Sequence, residues 1–561
     1  MVSATVTSLN QLIDQSAWTF GNQPAVGFAF KPSLSYAEFH AQIQLVAGQL
    51  KELGIKKGDR VAILADNSPQ WGIAYLGIVR LGAIAVPILP DFPESDVKHI
   101  LRESEAKILF TTQRQLEKLY DLNSKRLKTV VTLDDSTDSH HLLAPLPFSA
   151  LLDMARELPE RQRNISGDQM RPEELASIIY TSGTSGHSKA VMLSHGNFLS
   201  NVRSTLAIFP RETIRGWSFL SVLPMSHAYE FTISFLAPLA TGSRIIYAGK
   251  TPTPTVLERI CREERPTLMC MVPMVMEKIY KKKILPVVNG TPLLKVAVRL
   301  PLLRKKILGK IGRELHKFFG GQLKLVAIGG APLNIEVEKF LAQSGFPYLV
   351  GYGLTEASPL VSAGPYQDAS IAVGSAGKPV KGVEVRITHA NPETGLGEIQ
   401  VRGANVMPGY WSNPKATAET IDQDGWLATG DLGCLDRHGN LFIKGRSKSV
   451  IVLSHGENIY PEAIEEKINA HQHVVESLVV ERNDRLEAQV YLDYELIDQE
   501  TRGKSEAQKL RHIEELLAAI KREVNSALPQ YSQLNRVSER QEPFIKTATH
   551  KIKRYLYTNA K

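Results

Sequence analysis

Between Arg60 and Thr112, short unbroken apolar runs alternate with amphipathic stretches. Arg60–Leu64 (RVAIL), Ala83–Leu89 (AIAVPIL) and Lys107–Thr112 (KILFTT) have the length and apolarity of strands buried on both faces. Ser68 and Pro69 supply an N-cap and a first-turn proline for a helix to about Leu81, and Glu94–Ser104 reads as another helix. The strand pattern resumes at Ala176–Tyr180, Arg244–Tyr247, Thr267–Val272 and Leu323–Ile328. Strands separated by helices predict mostly parallel sheets with helices on their faces. From Gly374 to Ile443 helices thin out, and VEVRI and GEIQVRG predict a small β unit. Lys444–Ser449 (KGRSKS) is polar and aperiodic, which predicts a hinge between residues 1–443 and 450–561. Beyond it, Pro461–Ala470 reads as a helix and Val474–Val480 as a strand. Leu486, Ala488, Val490 and Leu492 alternate with Glu487, Gln489 and Tyr491, the period of a half-buried strand. Leu510, Ile513, Leu517, Ile520, Val524 and Leu528 then repeat at helical spacing up to Pro529. The fold class is therefore α/β, with a large N-terminal domain and a small α+β C-terminal domain.

A chain of 561 residues exceeds what one core sustains, so several packed units are expected. With 43% hydrophobic and 22% charged residues, it is neither disordered nor a membrane bundle, and no apolar run is long enough to span a bilayer. The first residues lack the basic-then-apolar order of a secretory signal. The three cysteines, Cys261, Cys270 and Cys434, lack metal or disulfide-framework spacing, which fits a reducing cytoplasm.

The net charge of +8 is concentrated: residues 281–319 hold eleven Lys or Arg against the single acid Glu314. The remainder is close to neutral, and no nucleic-acid signature accompanies the patch, so nucleic acid is excluded as a partner. Leu, Ile and Val interleave these cations. The segment reads either as a helical pair with its apolar side in the core, or as a peripheral contact to the anionic inner face of a membrane.

Tyr180–Lys189 (YTSGTSGHSK) links an apolar strand to the apolar run Ala190–Leu193. Its glycines, hydroxyls and lysine could surround phosphate oxygens, although it lacks the G-x-x-x-x-G-K-[ST] spacing of a Walker loop. On composition alone, a plain turn remains the competing reading.

The order of residues in YTSGTSGHSKAVMLSH resembles the phosphate-binding signature of the adenylate-forming superfamily, which includes acyl-CoA synthetases, aryl-CoA ligases and luciferases. LPMSHAYE (223–230), IGGAPL (328–333), GYGLTEASP (351–359), GWLATGDLG (425–433), IKGRSKSVIVLSHGENIYPEAIE (443–465) and THKIKR (549–554) resemble further motifs of that family in the same order. PTLMCMVPMVMEKIY (266–280) and the basic segment resemble its long-chain fatty acyl-CoA synthetases.

This resemblance implies an adenylate-forming fold and a two-step reaction. A carboxylate takes AMP from ATP, releasing pyrophosphate, and a thiol then displaces AMP. Thr181, Ser182, Gly183, Thr184, Ser185, Gly186 and Lys189 would hold phosphates, and Thr184 with Glu356 would bind Mg2+. Gly330, Ala331, Pro332, Tyr352 and Gly353 would line the adenine side, and Thr355 would reach the α-phosphate. Asp431 would accept from the ribose, and Arg446 would contact ribose or phosphate. His227 would orient or gate the carboxylate. Lys551 would be the cation of adenylation. Lys448 would be the hinge pivot, and Gly456 would face the coenzyme A channel. Departures from the common pattern are Ser188, Ala190, Ser449 and His550. The implied acid is a medium- or long-chain fatty acid; Met271, Met274 and Met276 are candidates to line its cavity, with plain core filling the competing reading. The implied acceptor is coenzyme A. Alternatives are an acyl carrier protein as acceptor, an aryl-CoA ligase, oxygenation of the luciferase type, and a relative that binds nucleotide and acyl chain without catalysis. A homodimer stays open.

Overall fold

The computed structural model describes residues 5–122, 124–137, 144–167, 170–181, 188–209, 214–290, 300–364, 367–453, 458–547 and 551–558. Among these, two large sheets carry the core. One has eight strands, ordered Gly409–Tyr410, Lys189–Ser194, Leu175–Thr181, Ile84–Ile88, Arg60–Leu64, Ile108–Thr111, Thr129–Thr132 and Leu146–Pro147. The other has nine; Pro24–Phe28, Arg244–Tyr247, Ser218–Ser221, Leu268–Met271, Leu325–Ile328 and Tyr348–Gly353 form its parallel middle. The expected parallel arrangement is thus present, edged by antiparallel strands such as Leu360–Ala363.

Local chemistry sets the helices that join the sheets. The Ser68 hydroxyl accepts from the Trp71 amide (3.1 Å) and starts helix Pro69–Arg80. Ser194 and Asn197 form a capping box at helix His195–Ala207. The two helices meet through aromatics: Tyr75 lies 4.3 Å and Phe198 5.1 Å from Phe231, ring centre to ring centre. Such pairs contribute about 0.5–1.5 kcal/mol each beyond burial, enough to hold the sheets at a fixed angle.

The small β unit is a four-stranded antiparallel sheet: Val383–Thr388, Gly397–Gly403, Leu427–Leu435 and Leu441–Arg446. The segment expected to act as a hinge, Lys444–Ser449, divides into two parts here. Lys444, Gly445 and Arg446 complete the last of these strands, because Arg446 pairs in register with Asp431, and only Ser447–Ser449 form a separate short turn. Lys448 lies exposed in that turn.

The C-terminal unit packs helices Pro461–Asn469 and Glu506–Ser526 against strands Val474–Arg482, Arg485–Leu492 and Arg536–Arg540. Leu486, Ala488, Val490 and Leu492 are buried, as their alternation predicts. The long helix buries the expected face, with Ile513, Ile520 and Val524 in the core and Leu517 and Leu528 packed against it, joined by Leu516, while Leu510 is exposed. No helix among the described residues is long and apolar enough to cross a membrane.

Candidate functional site

The site lies where parallel strands of both sheets end, the usual position for ligands in such sheets. Thr181 and Lys189 face each other as the last residue pair of an antiparallel ladder. Ser182, Gly183, Thr184, Ser185 and Gly186 lie outside the described residues, as does Gly456. Lys189 projects over the ring of Tyr410 (4.5 Å) and donates to its hydroxyl at 3.4 Å. That hydroxyl donates in turn to Glu356 Oε1 at 3.0 Å. Tyr410 was not anticipated, because a Gly-Tyr step in a loop carries no motif. Its one signal is the strand pairing of Gly409–Tyr410 with Met192 and Val191.

Glu356 is placed by backbone. It sits in a short turn (Thr355–Ala357) after strand Tyr348–Gly353, and its carbonyl accepts from the Met407 amide (2.9 Å). The neighbouring loop is tied down by Asn197, which donates to Ala404 O and Val406 O at 2.9 Å each, and by Asn405, which donates to Ala357 O at 3.0 Å. Gly353 allows the chain to double back here, since a Cβ would meet Pro359 O at 2.1 Å.

Gly330, Ala331 and Pro332 follow strand Leu325–Ile328 and are exposed along the cleft; Gly330 has φ +88°. Across from them the Tyr352 hydroxyl donates to Asp431 Oδ2 (2.6 Å), and Arg446 Nε donates to Asp431 Oδ1 (2.8 Å). Burial, followed by the Asp431 charge, raises the Tyr352 phenol far above its ordinary range, so it stays a neutral donor.

His227 ends the loop after strand Ser218–Ser221. Burial pushes its pKa down to about 4, with the Lys551 charge adding to the shift. A neutral imidazole at neutral pH suits orientation or gating. Three residues on lies Glu230, fully buried, with neither carboxyl oxygen in a hydrogen bond of ordinary geometry. Burial raises its pKa to about 8, against the opposing pull of Ser221, Ser234 and nearby backbone amides.

Lys551 comes from the C-terminal unit. Its amide donates to Thr547 Oγ1 (3.2 Å), and Thr547 N donates back to Lys551 O (2.8 Å), closing a small hairpin. Arg554 anchors this tail by pairing with Glu465, and with Glu462 at 3.7 Å, on helix Pro461–Asn469. Lys551 is exposed to solvent, and its ammonium lies near enough to Arg446, Asp431 and Glu356 for their charges to act on it. Reduced hydration there lowers its pKa, as does Arg446, while Asp431 and Glu356 oppose the shift. The tail lysine, His227, Glu356, Asp431 and Arg446 therefore share one electrostatic neighbourhood, although up to 324 positions of sequence separate them.

Behind the site is an enclosed apolar cavity of about 40 Å³, bordered by Thr205, Phe209, Tyr229, Ile233, Ala327 and Gly351 among others. Of the candidate methionines, Met271 and Met276 fill the core, as the competing reading has it, and Met274 is exposed; none of the three borders this cavity. Tyr229, on the cavity wall, donates its hydroxyl to Ala327 O (3.0 Å).

Residues 13–411 match the family model described as AMP-binding enzyme, and residues 448–559 match that of the AMP-binding enzyme C-terminal domain. Among curated proteins the chain is 31% identical to the long-chain-fatty-acid–CoA ligase heimdall of Drosophila melanogaster, covering 78% of this chain and 68% of that one. It is 28% identical to 4-coumarate–CoA ligase 3 of Arabidopsis thaliana, over 82% and 76% of the two chains. Among solved structures, the ATP-bound RpMatB-BxBclM chimera B1 superposes with a TM-score of 0.77 at 26% identity, covering 98% of each chain. The anthranilate CoA ligase AuaEII, in complex with anthranoyl-AMP, shares the fold with a TM-score of 0.78 at 20% identity, over 98% of this chain and 96% of that one.

Proposed function

The chain belongs to the AMP-binding enzyme family of adenylate-forming acid–thiol ligases, and from this we propose that it activates a medium- or long-chain fatty acid with ATP and transfers the acyl group to coenzyme A. In the first step a carboxylate oxygen attacks the α-phosphorus and pyrophosphate leaves with the bonding electrons. In the second, a thiolate sulfur attacks the acyl carbon and AMP leaves.

The observation that carries this reading is Lys551, delivered by the C-terminal unit into a cleft that holds Asp431, Arg446 and Glu356 of the large domain. Adenylation gathers negative charge around one phosphorus, and fixed cations in a poorly hydrated cleft stabilise that charge more than water does. Lys551 and Arg446 supply such cations. Asp431, whose two oxygens already accept hydrogen bonds from Tyr352 and Arg446, has the two-oxygen geometry that a ribose diol uses. Lys189 lies at the edge of the phosphate loop, where it would reach the β- and γ-phosphates with Thr181, Ser182, Gly183, Thr184, Ser185 and Gly186. Glu356, with Thr184, would hold Mg2+; one carboxylate plus phosphate oxygens is a usual magnesium set, and the ion offsets phosphate charge. His227, neutral at pH 7, orients the carboxylate.

The fatty-acid reading rests on the apolar cavity behind the site and on the names of the relatives. The cavity holds little more than a few water-sized volumes, so an acyl chain enters by turning side chains such as Phe209 aside. After adenylation, the C-terminal unit swings about Lys448 in the turn Ser447–Ser449, and Gly456 then borders the thiol channel. The protein works in the cytoplasm, touching the inner face of the membrane through residues 281–319. Exposed Val287, Leu300 and Leu303 beside the lysines and arginines support that contact.

The test is pyrophosphate release from ATP across acids of increasing chain length and aromatic acids, followed by thioester formation with free coenzyme A or acyl carrier protein. Turnover of C8 to C18 acids with coenzyme A is expected. Turnover only of aromatic acids, or only with carrier protein, overturns the respective assignment. Flotation with anionic vesicles tests the membrane contact, which salt-independent or absent binding would refute.

A further inference from the structure

Lys281 lies in the large domain, in the π-helical turn Tyr280–Ile284. Its neighbours Lys282 and Lys283 project to the surface, where Lys283 pairs with Glu258 at 2.7 Å. Lys281 instead turns inward, and its ammonium donates three hydrogen bonds to the C-terminal unit: to Asn469 O (2.8 Å), His471 O (3.2 Å) and Val474 O (2.9 Å). An ammonium has three donors, so all of its capacity is committed to one stretch of one partner domain. The acceptors lie at the end of helix Pro461–Asn469 and on the turn into strand Val474–Arg482. The last carbonyls of a helix lack partners within it, and the helix dipole favours a cation at this end.

The same helix carries Glu462 and Glu465, which hold Arg554 and with it the hairpin of Lys551. One rigid piece therefore links two lysines: Lys281 grips its C-terminal end, and its acidic face fixes the segment that presents Lys551. A swing that removes Lys551 from the cleft carries these three carbonyls away from Lys281. Burial lowers the pKa of Lys281, with Glu277 and Asp493 partly compensating, so its charge is accommodated best when the three carbonyls are in place. Glu277, one turn earlier, accepts from the Asn334 amide (3.0 Å) and anchors the base of the turn.

We infer that Lys281 is a positioning residue, a latch holding the C-terminal unit in the arrangement that presents Lys551 for adenylation, so that its release precedes thiol transfer. This rests on the two-step reading and on the swing about Lys448. It assigns a conformational role to a lysine otherwise counted in the basic surface segment.

The test compares full-length wild type with Lys281→Met, Lys281→Arg and Lys282→Met. Lys282 is the control: it also reaches the C-terminal unit, at Glu495 (3.2 Å), but both partners are exposed and water replaces either easily. Two readouts are used. One is ATP–pyrophosphate exchange with dodecanoate, alongside single-turnover thioester formation from preformed dodecanoyl-AMP. The other is the distance distribution between spin labels at exposed positions Tyr120 and Leu510, recorded with ATP and Mg2+. Lys281→Met should lower exchange about tenfold, leave thioester formation unchanged or faster, and broaden the distance distribution. Lys281→Arg should restore most of the exchange, and Lys282→Met should match wild type. An unchanged distance distribution in Lys281→Met overturns the latch. So does an equal fall in both half-reactions, or an equal loss in Lys282→Met. If the methionine variant does not fold, Lys281→Gln takes its place: a several-fold fall in exchange with wild-type thioester formation supports the latch, and unchanged exchange with unchanged distances overturns it. Lys448→Pro, assayed in parallel, separates the readings. If it slows both half-reactions alike, the swing itself fails. If it spares adenylation while Lys281→Met changes nothing, only the latch fails.

Discussion

Replacing Tyr410 by Phe removes a single hydroxyl from the phosphate side of the cleft. That hydroxyl donates to Glu356 Oε1 at 3.0 Å and accepts from Lys189 Nζ at 3.4 Å. Burial, then the adjacent Glu356 charge, keeps the phenol protonated well beyond neutral pH, so the donor is present throughout the working range. The phenyl ring preserves the cation–π contact with Lys189 (4.5 Å). A hydrogen bond to an ionised carboxylate contributes roughly 1.5–3 kcal/mol, and the longer bond to Lys189 adds less. Water partly replaces the lost donor because Glu356 is only half-buried, so the lower end applies. About 1.5 kcal/mol corresponds to roughly a tenfold change. Since Glu356 is the proposed Mg2+ ligand, the change should fall on the Mg2+ concentration that half-saturates ATP–pyrophosphate exchange, with KM for the fatty acid unaltered. A Tyr410→Phe protein with wild-type melting and wild-type Mg2+ dependence would refute the proposed linkage of Lys189, Tyr410 and Glu356. A loss that no Mg2+ concentration restores would refute it equally.

Lys551→Gln should reduce adenylation by about a hundredfold or more, in line with losing one preorganised group at a developing charge; thioester formation from supplied acyl-AMP should remain within a few-fold, and equal loss of both would count against the role. Lys448→Pro should leave pyrophosphate exchange largely intact and suppress acyl-CoA formation, measured by single-turnover quench. Glu230, with its pKa raised to about 8, binds a proton in the folded state that the unfolded chain has already released above about pH 4.5. Its contribution is therefore fully present at low pH and is lost as pH rises through that window, at up to about 1.4 kcal/mol per unit. Glu230→Gln should flatten the decline in urea midpoint between pH 5 and 8, and a parallel decline in both proteins would disprove this.

Much of the architecture was legible because the strands of the parallel sheets are uniformly apolar and their helices begin on recognisable caps, as at Ser68. Arg244–Tyr247 and Arg60–Leu64 coincide with their predicted limits. The polarity of Lys444–Ser449 does not reveal that Arg446 is held in a ladder by Asp431. Leu510 continues the helical repeat of the last long helix yet is exposed, because it lies in the first turns, beyond the reach of the core that Ile513, Ile520 and Val524 enter. Within the site, motif residues such as Asp431 and Lys551 could be named in advance, since each has a role that resemblance transfers. Tyr410 and Lys281 could not. One depends on a two-residue strand pairing, and the other on which of three consecutive lysines turns inward, and both are decided by contacts more than 180 positions away in the chain.

The pairing of Gly409–Tyr410 with Met192 and Val191 has a consequence for biosynthesis. Lys189, Glu356 and Asp431 are set by three different sheets, and Lys551 by a fourth body of structure. While the polypeptide emerges from the ribosome, most strands of the two large sheets are available before the residues that finish the cleft. Glu356, Tyr410, Asp431 and Lys551 follow most of those strands in the sequence, so the cleft is the last part of the molecule that synthesis supplies.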